Sequence, residues 1–281
     1  MKERFHFVST LRACASLFRI KLAEGLQYRV AGLAGATTSL FWCLIEITVY
    51  SVFYTYAANR EAGPLSGLDL QQVITYCWLA QFLFIMQPMN LDSEILNKIN
   101  NGDVGIELCR PLDLYSHWFA KIAATRITPL LWRGIPMLAV GVIMPGTYGM
   151  GHPASLAGLI AALVSVFGAF LLCTSFGMLI CSIRLNVSWG NGPAYMILLV
   201  GSILSGAYLP LQLWPDSMQR FLLIQPFAGY LDIPVRLYIG TLSPSGAFGS
   251  IGLQILWSLF FILTGKQLMA VRLKNIVVQG G

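Results

Sequence analysis

From Gly134 to Ile183 the chain runs for fifty residues without one Asp, Glu, Lys or Arg. A soluble domain, in which roughly a quarter of residues are charged, does not sustain such a run. About 20 mostly apolar residues cross the hydrocarbon core of a bilayer, so the run holds two crossings. PGTYGMGHPAS in its middle supplies the turn between them. The rest of the chain agrees: 56% of its 281 residues are hydrophobic, 11% are charged, and the mean hydropathy is +0.69. These values describe an all-α integral membrane protein whose spans leave no room for a separate soluble domain.

Six segments qualify or nearly qualify as spans, at about 31–57, 72–90, 127–146, 154–183, 189–209 and 246–268. An even count puts both termini on one side. Lys2, Arg4, Arg12, Arg19, Lys21 and Arg29 precede the first span, and Lys98, Arg110, Lys121 and Arg126 lie between the second and third. Arg184, Lys266, Arg272 and Lys274 fall on the same face, against only Arg60, Arg220 and Arg236 opposite. The positive-inside rule makes that face cytoplasmic. The formal charge of +6 therefore follows topology and does not point to nucleic acid. The basic N-terminus lacks the short apolar core and cleavage site of a signal peptide, and is expected to be retained.

Ser205 to Gly240, SGAYLPLQLWPDSMQRFLLIQPFAGYLDIPVRLYIG, is too apolar for a solvated loop and too broken to span. Pro210, Pro215, Pro226 and Pro234 forbid a continuous helix across it. Two short helices fit between them, with Asp216 and Arg220, and again Asp232 and Arg236, spaced to pair along a helix face. Met218, Phe221 and Leu222 give the first an apolar side. Irregular backbone of this kind is tolerated at membrane depth only inside protein or beside a cavity. The expectation is an external re-entrant helical hairpin over about 210–245, half-buried between spans five and six.

On the cytoplasmic side, Phe7, Leu11, Cys14, Phe18 and Leu22 recur every three or four residues, with Arg12 and Arg19 beside the stripe. This predicts an amphipathic helix within residues 1–30, either a basic anchor on the membrane surface or a lever touching a partner. Residues 91–126 hold the longest polar passage, with charges of both signs. Asn101-Gly102 and Arg110-Pro111 mark turns, flanked by Ile95, Leu96 and Ile99 before and Leu114, Trp118 and Phe119 after, so two short helices around a turn are expected. A loop this long without a role is uncommon, which makes the passage a docking surface.

The chemistry of a catalyst is missing from the pattern. No G-x-x-x-x-G-K-[ST] cradles a nucleotide phosphate, so ATP and magnesium are not expected on this chain. His6, His117 and His152 are scattered, and Cys14, Cys43, Cys77, Cys109, Cys173 and Cys181 form no CxxC, so no metal site, disulfide framework or catalytic set emerges. Glu46 and Arg133 lie inside the first and third spans, where ionisable groups are costly. They either pair with one another, line a pathway, or, for Arg133, snorkel to the interface. Pro129 and Pro136 on either side of Arg133 predict a break in that helix.

The proline-punctuated segment, together with INNGDVGIELCRPLD, resembles the permease subunits of type-2 ATP-binding-cassette exporters, and the likeness extends over nearly the whole chain. The resemblance implies six spans, a connecting helix before the first, a coupling helix between the second and third, and an external hairpin before the sixth. It also implies a bacterial-type inner membrane, a separate ATPase subunit, and a second permease that is an identical copy or a similar partner. Asn97, Asn101, Gly102, Asp103 and Glu107, with Arg110, Pro111, Asp113 and Trp118, become the coupling residues. An ion-coupled secondary transporter and a non-transporting membrane scaffold are the alternatives from other classes; the substrate is not written in the sequence.

Overall fold

The computed structural model describes residues 2–58, 68–88, 91–109, 113–185 and 191–274, with side chains from Arg12 onward. Every regular element among them is helical. In chain order they are α1 (Lys2–Gln27), α2 (Arg29–Ala58), α3 (Leu70–Phe84), α4 (Ser93–Asn101), α5 (Val104–Leu108) and α6 (Leu114–Pro129). There follow α7 (Ile135–Ile143), α8 (Leu156–Arg184), α9 (Asn191–Leu204), α10 (Asp216–Ile224), α11 (Asp232–Ile239) and α12 (Pro244–Leu273). Among the described residues four stretches are long and apolar enough to cross a membrane: Arg29–Ala57, Leu114–Ile143, Leu156–Arg184 and Pro244–Leu273. α9 is apolar but shorter, and the fifteen residues of α3 rise about 22 Å.

The second of these, Leu114–Ile143, begins thirteen residues before the apolar run that announced it. Asp113 caps α6 by accepting the Ser116 N–H at 2.9 Å, and Leu114, Trp118 and Ile122 then bury one face. Packing of that face against α8 extends the helix through residues whose charges made them look like loop. The break expected near Arg133 takes the form of a π-helical turn over Leu130–Gly134, in which the Ile135 N–H bonds the Leu130 carbonyl. Pro136 has no N–H for the Trp132 carbonyl, and a wider turn is one way the chain absorbs that loss.

α8 is the central strut, packed by α12, α11 and α6. Its buried side includes Ser165, Gly168 and Ala169, small enough for neighbours to approach closely. A Cβ on Gly168 would lie 2.6 Å from the Gln254 amide oxygen of α12. α2 behaves differently: Ala36, Ser39, Cys43 and Ile47 form one buried stripe, while Phe41, Trp42, Val49 and Phe53 are exposed. Large apolar side chains on the outward face are expected where the solvent is lipid. α1 runs beside α6, and Cys14, Phe18 and Leu22 of the amphipathic stripe are half-buried while Arg12 and Arg19 are exposed.

Candidate functional site

α4 and α5 form the two short helices around a turn. Asp92 caps α4, its Oδ1 accepting the Ile95 N–H at 3.0 Å, and Gly102 ends it at φ +79°, in the left-handed region. Ile95, Leu96 and Val104 face inward. Asn97, Asn101, Gly102 and Asp103 are exposed, and so are Ile106 and Leu108, at 67% and 45%. The tip thus offers polar groups beside bare apolar ones.

Glu107 and Trp118, grouped with that surface by sequence, are instead buried beneath it. Glu107 receives Lys98 at 2.6 Å and the Trp118 indole N–H at 3.4 Å, with His117 3.5 Å away. They fasten α5 to α6. Asp113 is the cap of α6, and Arg110 and Pro111 lie outside the described residues.

Glu94 gathers three lysines from three helices: Lys121 of α6 at 2.7 Å, Lys21 of α1 at 3.0 Å and Lys98 of its own helix at 3.0 Å. Lys121 also reaches Asp92 at 3.2 Å, and Lys21 reaches Glu24 at 2.8 Å. Burial pushes the Glu94 carboxyl up, but the lysines outweigh it and hold the group well below the usual carboxylate range. Glu107 is lowered in the same way, burial opposing and Lys98 prevailing. The basic residues around Lys121 and Arg126 look like topology markers in the sequence. Both are in fact buried, and the spacing of Leu114, Trp118 and Ile122 was the available sign that they belong to a packed helix.

Deeper in, Arg126 donates to the Gln87 carbonyl at 2.8 Å, and the Gln87 amide donates to the Ser205 hydroxyl at 2.7 Å. Ser205 and Gly206 open the proline-punctuated segment. The Tyr76 hydroxyl lies 3.0 Å from the Gly206 carbonyl and 3.2 Å from Asp232 Oδ1 on α11. Asp232 and Arg236 approach to 3.7 Å, as their spacing foretold. The matching pair fails to form: Asp216 accepts from Gln219 instead, and Arg220 is exposed with no ion pair among the described residues.

The prolines set the boundaries of the segment's short helices. Pro210 and Pro215 precede a 3-10 turn and α10, Pro226 starts a second 3-10 turn, and Pro234 sits in the first turn of α11, where its missing N–H costs little. Of the predicted apolar side of α10, Leu222 is buried, whereas Met218 and Phe221 are exposed. Gly229 meets Leu172 of α8 and Gln254 of α12. Leu172 lies about 24 Å along α8 from its start, so the segment dips past the middle of that helix. Gln254 fixes the dip by donating to the Gly229 carbonyl at 2.8 Å and bonding Ser165 at 3.0 Å. Phe227 packs edge-on against Phe176, with ring centroids 5.4 Å apart.

Glu46 and Arg133 do not pair with each other. Glu46 accepts from the Gln81 amide at 2.9 Å, joining α2 to α3. Arg133 donates its Nε–H to the Ser39 hydroxyl at 2.6 Å, joining the π turn to α2, and lines a cavity of about 550 Å³.

No curated protein and no solved structure matches the chain. The sequence model described as ABC-2 family transporter protein matches residues 40–280, which takes in α3 through α12 and the whole proline-punctuated segment. Four helices long and apolar enough to cross a membrane, a largely buried, proline-broken segment before the last of them, and a match over most of the length agree: the chain is a multi-pass membrane permease belonging to the ABC-2 transporter family.

Proposed function

We propose that the chain is the membrane-spanning permease subunit of an ATP-driven exporter, forming the substrate pathway and taking its drive from a separate ATPase. In this reading α2, α3, α6 with α7, α8, α9 and α12 are six crossings. Both termini and the α4–α5 element are cytoplasmic, as the distribution of Lys and Arg favours. α10 and α11 then belong to the external side. A second permease, identical or similar, completes the pathway, and a bacterial-type inner membrane is the setting that the resemblance suggests.

The observation that carries the proposal is the α4–α5 element. Its tip is exposed, and its base is tied through Glu94 and Glu107 to α1 and α6. A push on the tip therefore moves long helices rather than deforming a loop. The Lys21–Glu94 bond favours the lever reading of α1 over the anchor. From α6 the push reaches the re-entrant segment through Arg126, Gln87 and Ser205. ATP binding to the partner can drive such a switch only if the contacts it makes with the tip differ between the two states.

Replacing Gly102 by Trp, or Asp103 by a bulky residue, in a complex reconstituted with the neighbouring ATPase tests this. ATP hydrolysis should persist while transport drops at least about tenfold, the loss expected when roughly 1.4 kcal/mol of coupling disappears. Transport and hydrolysis both at wild-type rates would remove the coupling role from this element. Flux that survives ATP depletion and collapses with the proton gradient would make the chain a secondary transporter instead.

A further inference from the structure

The cavity lined by Arg133 has features that the coupling role does not use. It lies between α1, the end of α3, the start of α4 and α6, and its 550 Å³ falls within the roughly 300–1,000 Å³ of small-molecule sites. The lysines that line it are already matched, Lys21 with Glu24 and Glu94, and Lys121 with Asp92 and Glu94, and Arg126 donates to the Gln87 carbonyl. Arg133 is placed differently. Arg133 is half-buried, hydrogen-bonds only the Ser39 hydroxyl, and has no carboxylate partner among the described residues. A guanidinium inside a span without a counter-ion is expensive, and an anion entering the cavity would remove that cost.

Depth and surroundings say which anion. The first span starts at Arg29, whose guanidinium lies 5.6 Å from the centre of the Trp132 ring, and Tyr28 lines the cavity. Tyr, Trp and Arg together mark the level of lipid headgroups. Phe84 and Ile85 supply an apolar side to the cavity, and Val30 and Leu33 are exposed where α2 leaves it. We propose that this cavity holds the phosphate of an acidic phospholipid headgroup on Arg133, with the acyl chains lying along the exposed start of α2. The cavity is lined by four cations, Lys21, Lys121, Arg126 and Arg133, and three carboxylates, Glu24, Asp92 and Glu94, and one surplus positive charge suits a headgroup with a single net negative charge better than a zwitterion. The site stands independently of the exporter reading, since it needs neither ATP nor a partner chain.

The test is lipid binding to the purified full chain in detergent, followed by native mass spectrometry and thermal unfolding, with phosphatidylglycerol, phosphatidylcholine and inorganic phosphate as separate additions. Phosphatidylglycerol should bind about tenfold more tightly than phosphatidylcholine, and Arg133→Gln should erase that preference, the loss of one charge-assisted contact. Arg133→Lys should keep part of it. Thr125→Phe, which fills the cavity from α6 and leaves Arg133 in place, should weaken phosphatidylglycerol equally and guards against a folding defect in the first variant. Equal binding of the two lipids, or undiminished preference in a folded Arg133→Gln protein, would overturn the site. Inorganic phosphate protecting as well as the lipid would overturn its assignment to a headgroup.

Discussion

Substituting Gly206 by Ala isolates the contact on which the re-entrant segment turns. Gly206 has φ +86°, where a side chain costs about 1 kcal/mol, and its Cβ would fall on the Tyr76 hydroxyl. Tyr76 is buried, so its ring cannot swing into solvent; its hydroxyl must retreat from the Gly206 carbonyl at 3.0 Å and Asp232 at 3.2 Å. Leaving buried polar groups short of a partner costs about 2 kcal/mol more. The total of about 3 kcal/mol corresponds to a fall in Tm of about 8 °C at this size. Thermal unfolding in detergent, followed by intrinsic fluorescence, reads it. In a Tyr76→Phe background the obstructing atom is gone, so Gly206→Ala should cost only its backbone strain, about 1 kcal/mol. The coupling of about 2 kcal/mol between the two sites is the decisive quantity. Equal losses in both backgrounds would show that the hydroxyl does not hold Gly206.

Two further outcomes follow from the same geometry. Lys121→Met leaves Asp92 and Glu94 facing each other with only the more exposed lysines for company, and should destabilise by about 2 kcal/mol in thermal unfolding, with Lys121→Arg close to wild type. Asp232→Ala takes an acceptor from the buried Tyr76 hydroxyl and the counter-charge from Arg236, and should destabilise by about 2 kcal/mol in thermal unfolding, with Asp232→Asn losing less because its amide oxygen can still accept from Tyr76; equal losses in the two variants would refute it.

What the sequence made legible was what lipid and proline dictate. The charge-free run from Gly134 to Ile183, the turn at Gly102 and the proline boundaries of the re-entrant segment each rest on one local rule, and each has its counterpart in the structure. Partners distant in sequence were not legible. Glu94 and Lys121 are 27 positions apart and Gln87 and Ser205 are 118 apart, and no periodicity announces which polar residue a packed helix will present to another. Arg220 shows the converse: the correct spacing for a pair does not form one where both groups are exposed and water competes.

Those distant partners also constrain how the molecule can move. Ser205 and Gly206 are adjacent in the chain and are held from two directions, by Gln87 with Arg126 behind it and by Tyr76 with Asp232 behind it. Helix–helix contacts in lipid gain little from apolar burial, so hydrogen bonds of this kind carry a larger share of what keeps neighbours in register. Shifting α6 against the end of α9 must either break the Arg126–Gln87–Ser205 chain, at about 1 kcal/mol or more for each bond left unmade, or carry the Ser205–Gly206 peptide with it. The second course then drags Tyr76 and Asp232. A switch driven from the α4–α5 tip, of the kind proposed, would therefore reach the re-entrant segment by moving it bodily or by exchanging these partners for a second set, because the contacts leave no slack between them.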